Sequence, residues 1–289
     1  MSSNAARAQQ SRATRLLVIS SGAGSMNEDV ERKLRRSFAD HQIVEFDAKE
    51  DLSELMSPQA RIVVAGGDGS VEFIVRKFAD TQHPVGIVPM GTFNNLARAL
   101  RLPLELDDAI EVARDGKAKA ITLGRVNEHI FVEACAIGLF GETIALGDAA
   151  KDRAFGETTD HLKNVFSARR FRYELSGDID GSGSAMSLVF SNTGSIGSQL
   201  QIADNTPIQP YLEFSVHAGR TRTDIIRRAL KAAVLRKKAE DTIDQVFKFN
   251  RLEVKTQPRV KIYADNFLVG RTPATVTAET SALRVLLPE

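Results

Sequence analysis

Hydrophobic runs and amphipathic stretches alternate through the first 120 residues of the chain. Short apolar runs predict strands, and stretches with apolar side chains every three or four residues predict helices. The predicted strands are RLLVIS (15–20), QIVEFDA (42–48), RIVVAGG (61–67) and PVGIVPMG (84–91). The predicted helices are NEDVERKLRRSFAD (27–40), DLSELMSPQ (51–59, ending near Pro58), SVEFIVRKFAD (70–80), TFNNLARALRL (92–102) and DDAIEVARDGK (107–117, with Gly116 as its C-cap). This alternation with short joints predicts an α/β domain, with a mostly parallel sheet and flanking helices.

From about Ala120 the pattern changes to short runs rich in Val, Ile, Phe and Tyr, many of which alternate with polar positions. The runs are AITLGRVN (120–127), HIFVEACAIG (129–138), RFRYELSG (170–177), AMSLVFSN (185–192), YLEFSVHAG (211–219), RLEVKT (251–256), RVKIYAD (259–265) and ALRVLLP (282–288). They predict an antiparallel, sandwich-like β domain, interrupted by helical inserts around Thr158–Ala168 and Thr223–Glu240. Gly181–Ser184 is interpreted as a hairpin loop.

These patterns divide the chain into three parts. Residues 1–12 form a polar leader predicted to be disordered, residues 13–120 form the α/β domain, and residues 121–289 form the β-rich domain. A return of the extreme C-terminus to the first domain is left open.

Composition removes several classes of function. Lysine and arginine number 38 and aspartate and glutamate 37, so the chain as a whole is not a polyanion binder, and no nucleic acid is expected as a partner. The single cysteine, Cys135, excludes an intramolecular disulfide, and its apolar neighbours predict an inert, buried thiol. The leader has no apolar core typical of a secretory signal, and we expect a cytoplasmic protein.

Three glycine-bearing loops follow predicted strands of the first domain: SSGAGS (20–25), GGDGS (66–70) and PMGTFNN (89–95). Because the carboxyl ends of parallel strands meet at one edge of a sheet, these loops are expected to lie together. Glycines let backbone N–H groups approach an anion, and a following helix adds the positive end of its dipole. The alternative is that the glycines serve only the turns. We predict a nucleotide site formed by Ser20, Gly22, Gly66, Gly67, Asp68, Gly69, Ser70, Gly91, Thr92 and Asn94.

The sequence GGDGSVEF (66–73), followed by PVGIVPMGTFNNLARAL (84–100), resembles the diacylglycerol kinase catalytic domain family, which includes bacterial lipid kinases, sphingosine kinases and ceramide kinases. NAD kinases share the first motif, whereas the second is typical of the lipid branch. The resemblance continues more loosely in FVEACAIGLFGE (131–142), SNTGSIGSQLQIA (191–203) and YADNF (263–267).

The resemblance implies transfer of a phosphoryl group from ATP, with Mg²⁺, to a lipid hydroxyl in a cleft between a kinase-like domain and a lipid-binding β domain. The acceptor would be diacylglycerol-, sphingoid- or phosphatidylglycerol-like. Asp68 would organise the metal or orient the acceptor hydroxyl. Either Asp68 or Asp265 would serve as the catalytic base, and for Asp265 the alternative is an ordinary turn aspartate between strands. Glu142 would meet the lipid headgroup, against the alternative of an ordinary surface glutamate.

Several positions depart from the family pattern. Glu72 stands where asparagine is usual, Phe93 replaces a small residue, and Asn95 replaces an aspartate. Phe267 occupies the place of the glutamate often assigned as proton acceptor, and a phenyl ring accepts no proton. The family's metal loop, usually Asp-Gly-x-Leu-Asp, is Gln209-Pro210-Tyr211-Leu212-Glu213, and its Mg²⁺ site is predicted to be absent.

These departures leave two other functions open. One is a degenerate family member that binds nucleotide or lipid as a sensor or carrier. The other is a kinase of the NAD kinase type that acts on a soluble substrate.

A basic amphipathic segment, residues 222–238, is expected either to form a solvated face or to dock peripherally on the inner membrane surface. A homodimer is also left open.

Overall fold

The computed structural model describes residues 13–48, 52, 56–142, 169–196, 200–201, 205–217 and 246–289. The leader (1–12), the basic segment (222–238) and the two helical inserts (158–168 and 223–240) lie outside the described residues. The chain divides into two compact units. One unit runs to Ala120 and includes Ala282–Glu289, and the other is Ile121–Ser281.

The first unit is a parallel sheet with four described helices. Its strands are β1 (Ala13–Ile19), β2 (Gln42–Glu45), β3 (Met56–Gly66), β4 (Pro84–Pro89) and the end of β18 (Ala274–Leu287), in the order β2-β1-β3-β4-β18. Every neighbouring pair is parallel. The helices are α1 (Glu28–Ser37), α2 (Asp68–Phe78), α3 (Asn95–Ala99) and α4 (Leu106–Asp115).

A core between sheet and helices holds this unit together. Strand side chains such as Leu17 and Val63 pack with Leu34 and Phe38 of the α1 region and with Ile110 of α4. All five are buried, so the alternation of apolar runs and amphipathic stretches reflects a sheet covered by helices. The predicted α/β class of this unit is confirmed.

The second unit contains antiparallel sheets. One places the first half of β18 beside β15 (Arg251–Gln257), β8 (Phe171–Gly177) and β9 (Gly181–Ala185), with β5 (Lys117–Val126) and β6 (His129–Phe131) attached. The other has the order β14-β13-β10-β7-β16-β17, formed by Val246–Phe249, Leu212–His217, Ser187–Ser191, Ala134–Gly138, Lys261–Ala264 and Phe267–Arg271. A short pair, β11 (Ser195–Ile196) and β12 (Leu200–Gln201), completes the described strands.

The core of the second unit draws apolar side chains from both larger sheets. Phe190 stacks on Phe214 with ring centroids 5.0 Å apart and meets Phe249 edge-on at 5.7 Å. These rings pack in one buried cluster with Leu252 and Val254 of the other sheet. The predicted antiparallel, sandwich-like β domain is confirmed.

Two local predictions are wrong. The helix predicted to end near Pro58 is not formed at its C-terminal end, because β3 already begins at Met56, which pairs with Ala13 of β1. The predicted loop at Gly181–Ser184 is strand β9, which pairs with β8 in the register Tyr173↔Gly183. In both places pairing with another strand overrides local preference: β1 is the partner in the first case, and the hairpin neighbour β8 in the second.

Cys135 lies on β7, fully buried, and burial raises the pKa of its thiol far above the ordinary value. The nearby Asp265 carboxylate adds to that rise. We therefore expect no reaction of the folded protein with a thiol reagent such as Ellman's reagent at mildly alkaline pH. In denaturant the same reagent should titrate one thiol. Rapid modification of the native protein would show that β7 opens readily.

Among the described residues, no helix is both long enough and apolar enough to cross a membrane. The cytoplasmic location stays a prediction.

Candidate active site

The structure brings the three glycine loops of the first unit into contact. The Met90 N–H donates to the Gly66 carbonyl at 2.8 Å, which joins the second and third loops. The Met90 carbonyl accepts from both the N–H and the hydroxyl of Ser25 at 3.1 Å, which joins the third loop to the first. A methyl group placed on Gly24 would lie 3.4 Å from the Thr92 hydroxyl oxygen. The residues predicted for the nucleotide site therefore share one edge of the parallel sheet.

Asp68 fixes the third loop by accepting two backbone hydrogen bonds. Its Oδ2 accepts from the Asn94 N–H at 3.0 Å and its Oδ1 from the Asn95 N–H at 2.9 Å. Asn94 has a left-handed backbone (φ 51°), and its side chain bonds both the N–H and the carbonyl of Gly91 at 2.8 Å. The second and third motifs are thus one hydrogen-bonded unit, and Asp68 is its central acceptor.

Two of the glycines are required by the close packing of the loops. A Cβ on Gly91 would lie 2.8 Å from Asn94 Oδ1 and 2.9 Å from Asp68 Oδ2. A Cβ on Gly66 would lie 2.9 Å from the Cβ of Ser70. Neither position has room for a side chain, so these glycines are explained by close packing alone.

Gly22 and Gly69 are different. A Cβ on either would meet nothing within 4 Å, and neither has a positive φ. The absence of a side chain at these positions is therefore not required by the packing or the backbone of the described residues. It leaves open space in front of the loops, where an approaching ligand would make close contact with the backbone.

The open space at Gly69 lies in the first turn of α2. The first intrahelical bond runs from the Val71 N–H to the Gly67 carbonyl, and Gly67 at the N-cap supplies no side-chain acceptor. The amides of Asp68, Gly69 and Ser70 consequently have no acceptor within the helix. Unpaired amides at a helix N-terminus, together with the helix dipole, favour an anion such as a phosphate. Thr92 is exposed and available to a ligand, whereas Ser70 is buried against Gly66.

In the second unit, Asp265 is a buried acceptor. It lies at the turn between β16 and β17 with φ 52° and is 5% exposed. Its Oδ1 accepts from the N–H groups of Glu133 at 2.8 Å and Ala134 at 3.2 Å, and its Oδ2 accepts from Val132 at 3.0 Å. Three backbone donors focus on one carboxylate, which gives Asp265 a clear structural role in holding the segment before β7. The proposed role as a base stays a prediction.

Asn192 supports the same segment and was not identified from the sequence. Its side-chain amide donates to the Val132 carbonyl at 2.9 Å and to the Thr122 carbonyl at 3.0 Å, and its N–H donates to the Glu133 carbonyl at 2.8 Å. The residue is fully buried. Asn192 lies in the segment 191–203, which resembles the family. The sequence, however, does not distinguish a buried asparagine with three bonds to backbone carbonyls from a turn asparagine.

Phe267 and Glu142 are in contrasting environments. Phe267, at the start of β17, is 54% exposed.

Glu142 is buried and accepts an ion-paired hydrogen bond from Lys261 Nζ at 3.0 Å, so it is not an ordinary surface glutamate. Burial, followed by the Glu142 carboxylate, raises the pKa of the neighbouring Tyr263. Contact with a lipid headgroup stays a prediction.

The residues at the family's metal loop do not fit a resident Mg²⁺. Gln209 Oε1 accepts from the Thr206 N–H at 3.1 Å, and the Gln209 carbonyl accepts from the Thr122 hydroxyl at 2.8 Å, so the loop is closed by its own hydrogen bonds. Within the described ranges, no three His, Cys, Asp or Glu side chains form a group that could hold a metal ion.

The chain is similar to known proteins in sequence. Residues 9–126 match the diacylglycerol kinase catalytic domain family. The chain is 28% identical over 243 residues to a diacylglycerol kinase of Mycobacterium tuberculosis. The aligned region covers 78% of this chain and 76% of that protein.

Two solved structures share the fold. A diacylglycerol kinase from Bacillus anthracis superposes with a TM-score of 0.71 at 17% identity, over 96% of this chain and 98% of that one. An NAD kinase from Archaeoglobus fulgidus in complex with ATP superposes with a TM-score of 0.55 at 10% identity, over 95% and 93% of the two chains. Residues 9–126, the part of the chain that matches the diacylglycerol kinase catalytic domain family, contain all three glycine loops.

Proposed function

We propose that this protein transfers the γ-phosphoryl group of ATP to the hydroxyl of a lipid. The observation that carries the proposal is the open N-terminus of α2, where Gly69 leaves room that the described residues do not use. The match to the family supports a kinase, and the M. tuberculosis relative named diacylglycerol kinase supports a lipid acceptor.

In this reaction the bond between the γ-phosphorus and its bridging oxygen breaks, and a bond from the lipid oxygen to that phosphorus forms. The hydroxyl proton leaves to a base. Such chemistry depends mostly on positioning the phosphates and neutralising their charge. The amides of Gly69 and Ser70 would hold phosphate oxygens, Thr92 would donate its hydroxyl, and Asp68 would keep the third loop in place. Mg²⁺ bound to ATP would supply further neutralisation.

The second candidate function is binding of nucleotide or lipid without turnover. The arrangement of Asp265 favours it, since this carboxylate is buried and already accepts three backbone hydrogen bonds. Phe267 offers no replacement base. Because a general base contributes about 10²–10⁴-fold to a rate, its loss would slow a positioned phosphoryl transfer without abolishing it.

Incubation with ATP labelled in its γ-phosphate tests the proposal. The acceptors are diacylglycerol, sphingosine and phosphatidylglycerol in mixed micelles, with NAD as the soluble alternative. We expect label in the organic extract with at least one lipid and none on NAD. Label on NAD alone would establish the soluble-substrate kinase. ATP binding without label on any acceptor would establish the binding protein.

Changing Phe267 to glutamate should raise kcat by about 10²-fold, the lower end of general-base contributions. Phe267 is exposed, so a carboxylate there is not desolvated, and the fold should tolerate it. Leu268→Glu is the matched control, because Leu268 is the next residue and is 55% exposed. Steady-state kinetics with the preferred lipid measure the effect. Equal rates for wild type and both variants would show that position 267 does not receive the proton.

A further inference from the structure

An open groove of about 690 Å³ lies on the antiparallel sheet of the second unit, over strands β15, β8 and β9. We call it the serine groove. The residues that matter for its chemistry are Arg172, Glu174, Ser182, Ser184, Lys255 and Gln257. None of these belongs to the glycine loops or to the cluster around Asp265.

Strand register brings these side chains to one face. Arg172 is paired with Gln257 on one side and with Ser184 on the other. Glu174, two residues after Arg172 on β8, is paired in the same way with Lys255 and Ser182. Directly paired residues, and residues two apart, project from the same face of a sheet, so the six form two rows across three strands.

Small residues give the groove its depth at one side. Strand β9 is Gly-Ser-Gly-Ser-Ala, and it contributes nothing larger than a hydroxymethyl group to this face. The serine hydroxyls therefore form the shallow side of the groove, next to the longer side chains of β8 and β15. A hydroxyl can turn its O–H towards whatever acceptor enters.

The groove and its rim are cationic. Arg172 and Lys255 are exposed, and among the described residues neither forms an ion pair, although Glu174 lies opposite Lys255. Arg170 donates to the Ser184 carbonyl at 3.1 Å, which holds a further cation at the groove's end, and Arg169 precedes it. Arg172 and Lys255 of the groove, together with Arg170 beside Ser184, thus outnumber the Glu174 carboxylate among the groove residues.

We propose that the serine groove binds the phosphate of an anionic phospholipid presented at a bilayer surface. A guanidinium, an ammonium and two hydroxyls are the donors that suit phosphate oxygens. The groove is open rather than enclosed, and most of the side chains that line it are polar or charged, which suits a headgroup at a membrane surface better than a small molecule buried in a pocket. Basic residues near an anionic surface each add to membrane affinity. The inference concerns where the protein docks and does not depend on catalysis.

Vesicle sedimentation with the full-length protein tests this. Wild type should bind vesicles made of equal parts phosphatidylcholine and phosphatidylglycerol, and should not bind vesicles of phosphatidylcholine alone. The variant Arg172→Gln/Lys255→Gln should lower the partition coefficient by about 30-fold, and Glu174→Gln should raise it by about 5-fold. The control Arg32→Gln/Arg36→Gln removes two charges from α1 and should behave as wild type.

Three results would overturn the proposal. The first is equal binding to neutral and anionic vesicles, and the second is a groove variant that partitions as wild type does. The third is calorimetric binding of soluble glycerol phosphate that depends on Arg172 while vesicles are not bound, which would make this a site for a free phosphate compound. The partition coefficient is expected to rise for Glu174→Gln and to fall for the double variant. Because unfolding would lower it in both, the opposite changes distinguish an effect of charge from a loss of fold.

Discussion

Changing Asp265 to asparagine is expected to lower the free energy of unfolding by about 3 kcal/mol. The wild-type carboxylate accepts hydrogen bonds from the N–H groups of Val132, Glu133 and Ala134 in a buried position. An asparagine side chain has one acceptor oxygen, and its NH₂ group would face a backbone donor. At least one buried N–H would then have no acceptor. Urea denaturation of the two proteins measures the difference.

The control for this change is Glu128→Gln, which converts an exposed carboxylate to an amide in the turn between β5 and β6. It should shift stability by less than about 0.5 kcal/mol. If Asp265→Asn were as stable as wild type and yet lost its phosphoryl transfer, Asp265 would be the catalytic base rather than a structural acceptor.

The second large effect is expected for Asp68→Asn. The substitution should lower the free energy of unfolding by about 2 kcal/mol and weaken ATP binding at least 10-fold, since two hydrogen bonds to a charged acceptor hold the third loop. With one oxygen lost, the amides of Asn94 and Asn95 cannot both be satisfied. Calorimetric titration with ATP and urea denaturation measure the two quantities.

For Asp68 the control is Glu111→Gln, on an exposed position of α4. Its ATP affinity and stability should equal those of wild type. A different pattern for Asp68→Asn, with turnover lost while ATP affinity and stability are kept, would assign Asp68 to the metal or to the acceptor hydroxyl.

Much of the fold could be predicted because local pattern and tertiary packing agree there. The apolar runs of β1, β3 and β4 are buried on both faces of a parallel sheet, and α1 and α4 each present one apolar stripe to it. The convergence of the glycine loops follows from the same topology, because all three come after parallel strands.

The failures lie where the outcome depends on the partner that a segment meets in the folded chain. Strand β9 contains no residue that favours a strand, and it forms because β8 supplies a partner and Tyr173 lies over Gly183. Lys261 follows Glu142 by 119 positions, so their ion pair has no sequence signal. The sequence around Asp265 does not show whether its carboxylate lines a cleft or is buried and bonded to backbone amides.

The glycines show how the structure sharpens a motif. By sequence, every glycine of the three loops is equally suggestive of phosphate binding. In the structure, Gly66 and Gly91 are explained by packing, whereas a side chain on Gly22 or Gly69 would enter open space. The prediction of phosphate binding therefore rests on a subset of the motif, and this subset can be tested without disturbing the fold.

Gly69→Ala tests the central claim, that the N-terminus of α2 is the phosphate site. An added methyl group meets nothing within 4 Å, and alanine in place of glycine in a helix stabilises by up to about 1 kcal/mol. We predict an unchanged or higher melting temperature together with ATP affinity reduced at least 10-fold in a calorimetric titration. Unchanged ATP affinity in a protein of undiminished stability would contradict the account.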